Sequence, residues 1–165
     1  PTSTFDYVEP IGAGRIRGLI LHKLMEELLT GELLAQDDID ARAERLGDEL
    51  LAIEPTDELP VPGELAATAL RTFLLPHVQH LLPFLVPELS VWGEPAPGDL
   101  LAGRVDAIAI EDGKVIEVLD WKSDTALHRA AYVQQLQGYL RATSAPRAAI
   151  VYMTTGEIVT VLPAV

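Results

Sequence analysis

The sequence predicts a mixed α/β domain, and three observations carry that reading. The chain has 165 residues, the size of one domain. Its composition is 48% hydrophobic but only 5% aromatic, which describes a core built mainly from aliphatic side chains. The apolar periodicity is helical up to Pro87, alternates after it and returns once to helical. The order is therefore helices, three strands, one helix and two strands.

Residues 1–14 are polar and punctuated by glycine and proline, and read as an N-terminal arm with a turn at Gly12 and Gly14. A helix follows over 15–30, with Leu21, Leu24, Met25 and Leu28 as its apolar stripe and Gly31 as its stop. Residues 36–58 carry nine acidic side chains against Arg42 and Arg45. Ile39, Ala43, Leu46, Leu50 and Ile53 still recur at helical spacing, so one solvated acidic face is expected. Over 62–85 the helical pattern is broken by Pro76 and Pro83 and should form two pieces. Residues 88–93 alternate, and 103–110 and 114–121 are rich in β-branched residues, with Glu111, Asp112 and Gly113 between them as a turn. A helix over 127–143 ends before Pro146, and strands over 147–153 and 157–162 flank Gly156. Neither a repeat nor a linker divides the chain, so 1–165 reads as a single domain.

Composition removes several classes of function. No apolar run reaches the roughly 18 residues of a membrane span. Without cysteine there is no disulfide, thiolate zinc site or iron–sulfur cluster, and an intracellular, cytoplasmic setting is expected. The formal charge of −13 repels a DNA duplex, which argues against a free-standing nucleic-acid binder. The chain starts at Pro1 with no targeting segment, so it reads as a piece of something longer whose electrostatics it can borrow. There is no nucleophile elbow, phosphate-binding glycine loop or helical pair of metal-spaced histidines; His77 and His80, among leucines and prolines, read as packing or surface residues.

Chemistry concentrates on two adjacent strands. Alternation sets Asp120 and Lys122 on one side of their strand and Trp121 on the other. Asp106 lies on the strand before. A two-residue loop would pair it with Leu119 and turn it away from Asp120. A three-residue loop with Gly113 in a bulge pairs it with Val118, and Arg104 with Asp120, which places both acids and Lys122 on one face. In strands this apolar, uncompensated carboxylates are costly, and a divalent cation with hard oxygen ligands, Mg²⁺, is the simplest compensation. An Asp–Lys ion pair at a strand end is the alternative. On the following helix Gln135 falls inside the stripe of Tyr132, Leu136, Tyr139 and Leu140, so its amide needs partners, either in the same cavity or on sheet backbone.

Gly103-Arg104-Val105-Asp106, then Asp120-Trp121-Lys122, then Tyr132-x-x-Gln135-Leu136-x-x-Tyr139 resembles the nuclease domain of RecB/AddA-type recombinational-repair helicase–nucleases, in the PD-(D/E)XK nuclease superfamily. Gly18-x-x-x-His22-x-x-x-Glu26 is similar to that family's upstream histidine motif, and Glu88 to its additional acid. The likeness spans about residues 15 to 155. The acidic helix over 37–58 departs from the family pattern, as does the missing four-cysteine cluster.

The resemblance implies a restriction-endonuclease-like core, a central mixed sheet of about five strands flanked by helices. It implies a metal-dependent DNA nuclease, an exonuclease, within an ATP-dependent helicase–nuclease of double-strand-break repair. The chain would then be a C-terminal fragment, fed a single DNA strand by a helicase motor in the same polypeptide and paired with a second helicase–nuclease subunit. His22, Asp106, Asp120 and Glu88 would hold Mg²⁺ or Mn²⁺, with Lys122 and Gln135 also catalytic and Arg104, Gln135 and Tyr139 contacting substrate. A catalytically inactive docking module and a stand-alone nuclease of the same superfamily are the other readings these residues allow.

Overall fold

The computed structural model describes residues 14–96, 98–123 and 129–165. The N-terminal arm and Gly12, and the helical start at 127–128, lie outside the described residues. Four helices come first: α1 (Gly14–Thr30), α2 (Ile39–Ile53), α3 (Pro62–Phe73) and α4 (Pro76–Leu81). Gly14 opens α1 instead of forming a turn before it. Burial of Ile20, Leu21, Leu24, Met25 and Leu28 holds α1 in the core, and Gly31 at φ 80° ends it, a backbone state other residues resist. Asp38 caps α2 by accepting from the Ala41 N–H at 3.0 Å. The buried Glu27 carboxylate takes both prongs of Arg42, at 2.6 and 2.9 Å, and so ties α1 to the acidic helix. Pro62 and Pro76 each start a helix, where a missing N–H costs nothing.

A five-stranded sheet follows in the spatial order β1 (Leu85–Ala96), β2 (Asp99–Glu111), β3 (Lys114–Lys122), β4 (Ala148–Tyr152) and β5 (Glu157–Val161). All neighbours are antiparallel except β3 and β4, which are parallel and joined by the crossover helix α5 (Arg129–Thr143). This is the expected mixed α/β class with a mixed sheet, of the restriction-endonuclease-like type. β1 starts three residues earlier than the alternation indicated, so Glu88 lies within the strand. Alternate strand residues divide between two cores. Ala107, Leu119, Trp121, Ala149 and Val151 pack with α1–α4, whereas Val118, Ile150 and Tyr152 pack with α5.

The register differs from both loops considered for the β2–β3 hairpin. Asp112 and Gly113, at φ 50° and 75°, form a two-residue turn between Glu111 and Lys114. The ladder then shifts between Ile110↔Val115 and Ala109↔Glu117, leaving Ile116 as a bulge on β3. Val118 consequently faces Ile108, not Asp106, and the ladder ends at Ala107↔Leu119. One further step at this register brings Asp106 level with Asp120, where the longer loop was expected to set the two acids diagonally.

Gly103 has a similarly specific reason. A Cβ built there would lie 2.5 Å from the Tyr139 hydroxyl and 3.0 Å from its ring, so α5 sits against β2 only because position 103 lacks a side chain. Gly103→Ala is expected to cost about 1–3 kcal/mol by forcing this buried ring aside. Tyr139→Phe, which removes the nearest atom, should recover part of that loss. Urea unfolding of the two single variants and the double variant checks the coupling.

Candidate active site

One peptide unit organises the site. Trp121 buries its indole among α1–α4, its N–H donates to Asp106 Oδ2 at 2.7 Å, and His22 Nε2 donates to its carbonyl at 2.9 Å. α1 aims His22 at this point because the adjacent Leu21, Leu24 and Met25 are locked in the core. The second imidazole nitrogen, Nδ1, lies 3.3 Å from Asp106 Oδ1. Asp106 thus closes the gap where the β2–β3 ladder ends.

Three acids stand level across three strands. Glu88 lies between the rungs Pro87↔Ala107 and Leu89↔Val105, opposite Asp106, with a left-handed φ of 55° that a mid-strand glutamate adopts at a cost of about 1–3 kcal/mol. Ligand atoms of His22, Glu88 and Asp106 all lie within 4.8 Å of one another. Asp120, next in the row, is buried, and Lys122 Nζ lies 2.9 Å from its Oδ2. That contact is one of charge: the oxygen has no well-aligned hydrogen-bond donor. The ammonium also lies 4.3 Å over the Tyr132 ring on α5, so Asp120 and Lys122 take the side opposite the Trp121 indole, as alternation requires.

The electrostatics follow from crowding. Burial and the charge of Asp106 push Asp120 up to about 7, against the pull of Lys122. Burial also opposes ionisation of Asp106, but His22 and the Trp121 N–H hold it below the ordinary carboxylate value. Glu88 is raised by burial and by Asp106, with Arg104 opposing. Burial disfavours the His22 charge, yet Asp106, Asp120 and the Trp121 carbonyl outweigh it and raise the imidazole to about 9. Two of the three carboxylates are therefore held partly back from ionising until more positive charge arrives.

A divalent cation fits this donor set. It would meet one imidazole nitrogen and two carboxylates, next to a buried Asp120 oxygen that lacks an aligned donor. The Trp121 carbonyl fixes the required tautomer, because an Nε2–H committed to it leaves Nδ1 as the ligand atom.

The remaining expected residues divide. Arg104 is exposed and ion-paired to Glu88 at 2.8 Å, at the rim of the cluster. Gln135 is solvent-exposed, not buried within the α5 stripe; the sheet takes up Tyr132, Leu136, Tyr139 and Leu140, and the Gln135 amide hydrogen-bonds Tyr139 one turn on. Tyr139 is buried, with its hydroxyl against Gly103 on β2 and within the influence of Asp120, Asp106 and Lys122. His77 is held by the buried Glu117 carboxylate at 2.6 Å, which Arg147 also contacts at 3.0 Å. Sequence reasoning passed over Arg17, whose guanidinium reaches Glu64, Thr154 and the Ser123 carbonyl just beyond Lys122. Its only signal was being one of 12 cationic residues in an acidic chain.

A mixed-sheet domain whose parting strands hold a cation-ready cluster beside a buried Asp–Lys pair has the architecture of a metal-dependent nuclease. Residues 7–157 match the family model described as the PD-(D/E)XK nuclease superfamily, and the chain belongs to that superfamily. Thirteen chains of solved structure match it. One, described as "Crystal structure of SSO0001", is similar at 22% identity with a TM-score of 0.41, over 92% of this chain and 80% of that one. No curated protein matched. Among the described residues no helix is long and apolar enough to cross a membrane.

A pH dependence follows for the metal-free protein. His22, with its folded value at about 9 against an ordinary 6.5, contributes stability in full below 6.5 and loses it as pH rises through 9. Asp120, raised from 3.8 to about 7, adds an earlier decline that runs between those two values. In chelator, the melting temperature is therefore expected to fall between pH 6.5 and 9, and His22→Gln to flatten the decline. A wild-type melting temperature that rises over this window would contradict the assignment.

Proposed function

We propose that this chain is a cytoplasmic, metal-dependent DNA nuclease domain that hydrolyses phosphodiester bonds as an exonuclease. In this reading it is the C-terminal part of a RecB/AddA-type helicase–nuclease that acts in double-strand-break repair. The observation that carries the reading is the level row Glu88, Asp106 and Asp120, with His22 and Lys122 at its two sides. A single strand delivered by a motor in the same polypeptide, working with a second subunit, would spare a domain of charge −13 from having to capture DNA itself.

When bound, Mg²⁺ or Mn²⁺ at His22, Glu88, Asp106 and Asp120 supplies Lewis-acid polarisation of a phosphate oxygen and an acidified water. The chain's own residues do the rest. His22 must be neutral at Nδ1 to serve as a ligand, and the Trp121 carbonyl keeps it so oriented. Lys122, held by Asp120 and by the Tyr132 ring, orients the attacking water and stabilises the negative charge that grows on phosphate, a role worth several kcal/mol where water is excluded. Arg104 meets a neighbouring phosphate in this reading, which its exposure and its ion pair to Glu88 at the rim support. Gln135, whose amide reaches the Tyr139 side chain, contacts substrate from α5.

Lys122→Ala and Asp120→Ala are each expected to lower cleavage of an end-labelled single strand by about 10²-fold or more, with the melting temperature monitored separately. Cleavage that survives both variants, or that persists in chelator, would reject the mechanism. Asp106→Asn should abolish the heat of Mn²⁺ binding in calorimetry. Because the site includes an imidazole, Mn²⁺ is expected to bind more tightly than Mg²⁺.

A further inference from the structure

Beyond the acid row the β1–β2 hairpin continues as an arm, from Leu89 and Val105 toward its tip at Gly98. Val91 and Val105 turn toward the α5 core. Ser90 and Trp92, with Arg104 across the strand from Ser90, accordingly take the opposite face. There Trp92 is 77% exposed and the Arg104 side chain 64% exposed. A single exposed apolar residue needs no explanation in itself. The position of this one does: it lies diagonally across from Arg104, which is paired to Glu88, which belongs to the His22 and Asp106 cluster. Moving outward along one face, the arm presents carboxylates, then a guanidinium, then an indole. Glu88 and Trp92 are four residues apart, roughly 13 Å of strand.

We propose that Trp92 is a stacking platform for an unpaired base of single-stranded DNA, with Arg104 on the intervening phosphate. The inference rests on the nuclease reading above and adds to it a means of selecting the substrate. A strand whose scissile phosphate lies at the carboxylates would pass the guanidinium and then the indole within a few nucleotides. Stacking requires a base freed from its pair and tolerates any sequence, so the platform favours single over double strands. It also answers the charge problem in part, since stacking on an indole does not depend on the protein's net charge.

The protein carries the means of testing this. It has two tryptophans, and Trp121 is 1% exposed, so quenchable emission from a water-exposed indole belongs to Trp92. Titration of the wild-type chain with a short oligodeoxythymidylate, in chelator at low salt, is expected to quench that emission and to shield it from acrylamide; a duplex of equal length should do neither. Trp92→Ala should weaken binding of the labelled oligonucleotide by about 5- to 100-fold, and Trp92→Phe should restore most of it. Absence of quenching by the single strand, equal quenching by the duplex, or unchanged affinity in Trp92→Ala would each overturn the proposal, the first two without relying on any variant. Cleavage by the wild type in Mn²⁺ is scored separately. Cleavage without quenching removes the platform alone, and quenching without cleavage removes the nuclease reading and leaves the platform.

Discussion

The Trp121 peptide is the constraint on which the site depends. Its indole is committed to the core shared with α1–α4, which fixes the backbone at the end of β3. Its N–H and carbonyl then set Asp106 and His22, two groups from elements far apart in sequence. Its neighbours on either side, Asp120 and Lys122, must point the other way by strand geometry. Core packing energy, which is large and non-directional, is thereby converted into a directional arrangement of four polar side chains.

That arrangement is unfavourable when taken alone. Three carboxylates share a small volume, and two of them resist ionisation. The fold tolerates them by supplying partial compensation to each: Lys122 to Asp120, Arg104 to Glu88, and His22 with the Trp121 N–H to Asp106. Of the three, Asp106 is brought below its ordinary value while Asp120 and Glu88 stay raised, and a site left short of positive charge is one that a cation binds with a gain. The contrast is Glu117, more deeply buried than any of the three, where His77 and Arg147 each contact one of its two oxygens.

The sequence disclosed element types and their order well, because apolar spacing is a local property of each segment. Leu21, Leu24 and Met25 reveal α1, and the aliphatic alternation reveals β2 and β3. It also disclosed Asp106 and Asp120, through their oddity as charges within apolar strands, whereas Glu88 was reached only through the family resemblance. It did not disclose the register, because a two-residue turn at Asp112 and Gly113 followed by a bulge at Ile116 sets Asp106 level with Asp120, a pairing neither simple loop produces. Gln135 was misplaced because a helical wheel shows a stripe's width but not where the sheet centres it; Leu136 and Leu140 occupy that centre. The backbone role of Trp121 was not legible at all, since a peptide group has no letter in the sequence.

The left-handed Glu88 has a second effect through its position. β1 is an outer strand of the sheet, with one side not hydrogen-bonded to another strand of this sheet. Outer strands with an unbroken row of donors and acceptors recruit foreign strands and seed aggregates. Here Pro87 contributes no N–H and Glu88 twists the chain out of the extended state at the very next residue. The kink that delivers a carboxylate to the cluster therefore also interrupts the template, and a straightened β1 would make the molecule stickier as well as emptier at its centre.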